Sequence, residues 1–221
     1  MRHQDRLPAS ETGIEEVAVP HTREAHLAHG DQDARWTGER SDAVAGAIRR
    51  ETPPGLTGMD YGCGSGNVGL RLADHFASMD LVDISAEAIA ALAERVAGHR
   101  SSRAYILDLT RDDPPGQVDC VIASMSFHHV RETNRLLDGL AHAIAPGGLL
   151  IVVDMDADNG EFHSAKHDFA GHDGFDRAAL ARQIAEHGFA VTRVCDVWSG
   201  QRWAADTLID YSVFMIIARH L

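Results

Sequence analysis

From residue 56 onward, short apolar runs alternate with stretches whose apolar positions recur every three or four residues. The runs at 56–61, 79–82, 104–107, 118–123 and 148–154 predict five strands. The helical spacings between them predict helices over 68–75, 85–96, 132–144 and 176–187. Ser85 is placed to cap the second of these, with Glu87 in its first turn, and Gly188 to close the last. Ahead of the first strand, Ala43, Val44, Ala47 and Ile48 give a helical period over 42–50 behind Ser41, ended by Pro53, Pro54 and Gly55. Two final runs, 190–197 and 212–218, are β-branched and aromatic with no clear helix between them. They predict an antiparallel pair at a sheet edge.

Strands separated by helices of about three turns imply right-handed βαβ units. Several strands are continuously apolar, the pattern of a parallel sheet covered on both faces. The expectation is a doubly wound α/β domain over 41–221 with helices on both faces. Residues 1–40 are polar without a sustained period and read as an N-terminal arm, disordered or folded over the site. The one long irregular connection runs from 155 to 175, and connections of that length tend to be functional.

Composition narrows the partners. Hydrophobic residues make up 44% and charged residues 24%, and 20 basic against 33 acidic side chains leave a net charge of −13. That charge opposes phosphate backbones and anionic lipid, so neither nucleic acid nor membrane is expected. The beginning lacks an apolar signal-like segment, which reads as cytoplasmic. Three scattered cysteines form neither a disulfide framework nor a C-x-x-C site.

The chemistry starts at MDYGCGSGNVGLRLA, residues 59–73. Gly64, Gly66 and Gly69 spell the dinucleotide spacing, but Asp60 stands at the strand end ahead of Gly62. A carboxylate there repels a pyrophosphate and suits a cationic amine. Asp83 ends the second strand, where it can accept from ribose hydroxyls, and Asp108 ends the third, where it can accept from an adenine amine. Amine, ribose and adenine without phosphate is one ligand.

With MDYGCGSG, LVDIS, ILDL, VDCVIASMSFHHV and LAHAIAPGGLLIVVD in this order, the chain resembles the class I S-adenosylmethionine-dependent methyltransferases over about residues 40–221. The resemblance implies a Rossmann-like, mostly parallel seven-stranded sheet of order 3-2-1-4-5-7-6, its last strand antiparallel. It implies S-adenosylmethionine as cofactor, with Asp60, Gly62, Gly64 and Gly66 cradling the methionine moiety. Asp83 would bind the ribose, Ile84 the adenine face, Asp108 and Leu109 the adenine edge, and Ser124 would lie near the methionyl group. The G-x-G-x-x-G spelling through Gly69 then reads as coincidence.

The acceptor side is less marked. His128 and His129 follow the fourth strand as candidate catalytic residues, with general-base duty, packing and ligand positioning all open. Trp36 and Phe127 are candidate substrate contacts. His163 and His167 have i, i+4 spacing and His172 follows, but with 14 histidines in the chain such spacing arises by chance, and no metal is expected. DMDADNGEF, from Asp154, lacks the glycine and glutamate of a calcium loop. A small-molecule acceptor is the expected partner, and a homodimer stays open. The competing readings are an NAD-dependent oxidoreductase and a non-catalytic cofactor-binding module.

Overall fold

The computed structural model describes residues 23–98, 101–164 and 168–221. Its elements in chain order are α1 (Arg23–Glu51), β1 (Thr57–Tyr61), α2 (Gly69–Leu72), β2 (Ser78–Asp83), α3 (Ala86–Val96), β3 (Ser102–Ile106) and β4 (Val118–Ser124). They continue with a 3₁₀ turn (Phe127–His129), α4 (Thr133–Ala143), β5 (Ile144–Met155), α5 (Arg177–Glu186), β6 (Phe189–Ala204) and β7 (Thr207–His220).

The seven strands form one sheet in the order β3-β2-β1-β4-β5-β7-β6. β3, β2, β1, β4 and β5 run parallel, while β7 is antiparallel to both of its neighbours. This is the expected topology. Alternation along each strand sends neighbours to opposite faces. Cys120, Ile122, Ile151 and Val153 pack with Val44 and Ile48 of α1 and Leu92 of α3. Val121, Ala123, Leu150 and Val152 pack with Leu136 and Leu140 of α4 and Leu180 and Ile184 of α5. Both faces are covered, which is why the strands read as unbroken apolar runs.

Two caps follow the sequence. Ser85 accepts from the Ala88 N–H at 3.1 Å, and Asp176 accepts from Ala179 at 2.7 Å. Other boundaries differ. The final hairpin reaches beyond both of its apolar runs, with register shifts between Val191 and Arg193 and between Asp196 and Trp198. The larger difference is α1, which extends from the expected 42–50 back to Arg23. Its first half has no strong apolar face and is held by docking on β6. His29 stacks on Trp203 with centroids 3.7 Å apart, Asp33 accepts from the Trp203 backbone N–H at 2.9 Å, and Gln32 accepts from its indole at 3.1 Å. Residues 1–22 of the expected arm lie outside the described residues.

The connection from 156 to 175 is closed at its base. Asp156 pairs with Phe175 as a parallel bridge. Its carboxylate takes a two-pronged bond from Arg177, Nε at 2.6 Å and Nη2 at 2.7 Å, and a third bond from Ser212. Arg177 holds the Asp156 carboxyl below the ordinary carboxylate range.

Candidate active site

The parallel strands end at one rim of the sheet, where ligands bind in open α/β folds. The first strand turns there through three glycines of positive φ: Gly62 at 68°, Gly64 at 51° and Gly66 at 75°. A Cβ on Gly62 would lie 2.4 Å from that of Ser126, so only glycine lets the two loops meet. Around Gly64 no atom stands within 4 Å of such a Cβ, which leaves its backbone open to a ligand.

Asp60 is buried behind this loop, its Oδ2 accepting from the Gly69 N–H at 2.9 Å. Burial pushes its carboxyl up to about 7; the Gly69 bond works against this, and the nearby Asp83 adds to it. Gly69 is therefore more than a coincidence of spelling. A Cβ there would lie 2.2 Å from Leu81 and 2.6 Å from Asp60 Oδ2. Burial, together with Asp60 and Asp83, also raises the Cys63 thiol well above its ordinary range and keeps it in the thiol form.

Asp83 clamps the loop from the next strand, accepting from Gly64 N at 2.8 Å through Oδ2 and from Ser85 N at 2.9 Å through Oδ1. It lines a cavity of about 460 Å³ together with Gly62, Gly64 and Ile84. Ile84 is 64% exposed, an apolar side chain presented at that wall. A second cavity, about 210 Å³, is bounded by Asp60, Gly62, Gly64 and Ser124. A third, about 250 Å³, is lined by Trp36, Arg40, His128, His129, His163, Arg202 and Tyr211 among others. Met125 borders all three, held at φ 54° where a side chain rarely sits.

Several expected site residues stand elsewhere. Asp108 turns its carboxyl into its own loop, accepting from Thr110 N and Oγ1 at 3.0 and 2.6 Å, and it lines none of these three cavities. Leu109 and Phe127 are core side chains, 2% and 0% exposed. A backbone turn rich in local donors claims the aspartate, and apolar packing claims the other two. Gly66 abuts Leu92 and Leu70 and serves the turn.

The residue the sequence reading passed over is Asp154, at the end of β5. It is fully buried and accepts from His128 N at 3.1 Å and Met155 N at 2.8 Å. Its Oδ1 lies 2.6 Å from His128 Nδ1. A neutral ring that donates from Nδ1 to this carboxylate presents Nε2 as an acceptor. The signal was available, since Asp60 and Asp83 already showed that acidic strand ends matter here. The three aspartates of this stretch have separate duties: Asp154 serves His128, Asp156 serves Arg177, and Asp158 accepts from Gly160 and Phe162. His167 lies outside the described residues, and the His163 ring approaches His128 and His129. His172 donates its backbone N–H to His128 O at 2.7 Å instead.

A doubly wound sheet of this strand order, with a glycine loop and acidic strand ends beside an open cavity, defines a Rossmann-like fold. Residues 59–150 match the family model described as a methyltransferase domain. An uncharacterized methyltransferase of Mycobacterium tuberculosis is 30% identical over 95 residues, 43% of this chain and 48% of that protein. The match thus spans about half the length of the curated relative. The N-methyltransferase NodS from Bradyrhizobium japonicum has the same fold, with a TM-score of 0.64 at 15% identity over 83% of this chain and 96% of that one. Magnesium protoporphyrin IX methyltransferase from Synechocystis, solved with bound S-adenosylhomocysteine, gives a TM-score of 0.63 at 19% identity, covering 86% of each chain. No helix among the described residues is long and apolar enough to cross a membrane.

Proposed function

We propose that this protein transfers the methyl group of S-adenosylmethionine to a small molecule. The observation that carries the reading is the meeting of three cavities at Met125, two ringed by the glycine loop and its carboxylates and one by imidazoles. The adenosine would occupy the cavity between Asp83 and Ile84. The methionine end would lie along Gly62 and Gly64, its cationic amine toward Asp60 and Ser124. The sulfonium would then sit near Met125, with its methyl directed to the third cavity.

The bond broken is that between sulfur and the methyl carbon; the bond formed joins that carbon to the acceptor's heteroatom, and sulfur leaves as a neutral thioether. The cofactor carries the activation, and the protein contributes proximity, alignment and exclusion of water. His128 and His129 face the acceptor's reacting atom and hold it in line, His128 through the nitrogen that Asp154 leaves available. The volume of about 250 Å³ suits a small acceptor. Two guanidiniums share that cavity: Arg40 donates to the Tyr211 hydroxyl at 2.8 Å, and Arg202 lies 4.1 Å from the Phe162 ring centre. Neither is ion-paired to a described carboxylate, which favours an acceptor with an anionic group.

The test is transfer of a labelled methyl group to a panel of small hydroxy- and amino-carboxylates, run beside peptide and RNA acceptors. Label in a small molecule supports the reading, and label only in a macromolecule overturns the acceptor class. Binding of S-adenosylhomocysteine with no transfer to any acceptor leaves a cofactor-binding module.

A further inference from the structure

The third cavity concentrates imidazoles beyond what alignment by proximity requires. His128, His129 and His163 each bring one ring nitrogen to within 4.8 Å of the other two. Two come from the 3₁₀ turn after β4 and one from the connection between β5 and α5, so the group exists only in the fold. We propose that these three histidines bind one divalent transition-metal ion, zinc by the character of its ligands, with a coordination position open to the acceptor.

Four observations carry this. Imidazole nitrogens roughly 2.0–2.1 Å from zinc in a tetrahedron leave room for a fourth ligand, and separations below 4.8 Å close onto such a centre through small side-chain rotations. His128 has its second nitrogen held by a buried carboxyl at 2.6 Å, and that carboxyl is itself fixed by two backbone N–H groups. This is the support that orients metal-binding histidines. The connection bearing His163 is tied to the turn: His172 N reaches His128 O at 2.7 Å, Arg131 Nε reaches Ala170 O at 2.7 Å, and His163 stacks on Phe169 with centroids 3.6 Å apart. The ligand group is thus assembled by protein contacts alone. Finally, a set of three imidazoles without oxygen ligands selects zinc, cobalt, nickel, iron or copper over magnesium or calcium.

This inference rests on the acceptor-side reading of the cavity only for its role: the open position would take the acceptor's oxygen and ease loss of its proton. The binding claim stands apart from it. Tag-free protein, stripped with chelator and dialysed, is titrated with Co²⁺ and with Zn²⁺ by calorimetry and visible absorption. One equivalent per chain with the d–d bands of a low-coordinate cobalt site is expected. His163→Ala and His129→Ala should each weaken binding at least tenfold, and Asp154→Asn by about 10–100-fold. His142→Ala, an exposed histidine away from the cavity, should change nothing. Circular dichroism confirms folding of each variant, and His163→Ala should keep its affinity for S-adenosylhomocysteine.

Absence of stoichiometric Co²⁺ binding by the folded protein, or binding equal in His163→Ala, His129→Ala and His142→Ala, overturns the site. Loss of the metal claim with S-adenosylhomocysteine binding intact spares the methyltransferase reading. Failure of the folded protein to bind S-adenosylhomocysteine sinks that reading and leaves the metal result standing.

Discussion

Replacing Asp154 separates structure from chemistry at the acceptor cavity. Its carboxyl, fully buried, serves three donors: the backbone N–H groups of His128 and Met155 and the His128 ring. Asp154→Ala orphans all three. At about 1–3 kcal/mol for each unsatisfied buried donor, the sum reaches a large share of the 5–15 kcal/mol that holds typical domains together. The alanine variant should therefore be barely folded. Asp154→Asn keeps the volume and one accepting oxygen. If its amide faces the imidazole, Nδ1 must accept, and the ring proton moves to Nε2. We expect a cost of about 2–3 kcal/mol, which lowers the melting temperature by about 4–12 °C in a chain of this length. The protonated Nε2 can then neither hold an acceptor hydrogen nor bind a metal. Transfer at saturating cofactor should fall about 10–150-fold, the equivalent of one hydrogen bond to a charged group. S-adenosylhomocysteine affinity should be unchanged, since Asp154 borders neither of the cavities proposed for the cofactor. Melting curves, calorimetry and single-turnover transfer read the three quantities. An asparagine variant that is folded and transfers at the wild-type rate would refute the role given to His128 Nε2.

With Asp60 at the proposed amine site, cofactor binding should depend on pH. The Asp60 carboxyl is raised to about 7 by burial, so its proton must leave before it can meet a cationic amine. Affinity for S-adenosylhomocysteine should rise with pH, by up to about tenfold per unit below 7, and flatten above it; Asp60→Asn should remove the slope, and a slope unchanged in that variant contradicts the assignment. In the free protein the same shift has the opposite sign. The folded chain keeps a proton that the unfolded chain has lost, so this group's contribution to stability falls as pH rises from about 4 to 7; Asp60→Asn should flatten that fall in thermal melts. Gly69→Ala should cost about 1–3 kcal/mol, because its Cβ meets Leu81 and Asp60 below contact distance; a melting temperature equal to wild type would show the loop relaxes freely.

The readable parts of the fold share one cause. Strands buried on both faces leave unbroken apolar runs, and Val121 and Ile122 show the two faces claiming adjacent residues. The glycine loop was legible because positive φ and close approach at Gly62 demand glycine. The first half of α1 was not, because its stability comes from Asp33, Gln32 and His29 meeting Trp203, some 170 residues away. Asp108 looked equivalent to Asp83, yet Thr110 captures it locally, a competition that strand-end position does not reveal. Phe127 and Leu109 lie beside site residues in sequence but point into the core. The histidine group escaped a search along one helix because its members meet across two loops.

The central claim is that Asp83 and the glycine loop hold the adenosyl group of the methyl donor. Calorimetric titration of the wild type and of Asp83→Ala with S-adenosylhomocysteine tests it most directly. One site per chain is predicted for the wild type, with a loss of about 1–3 kcal/mol of binding free energy in the variant, through the missing ribose contacts and the released Gly64 clamp. Equal affinity in a folded Asp83→Ala protein, or no binding by the folded wild type, would contradict the account.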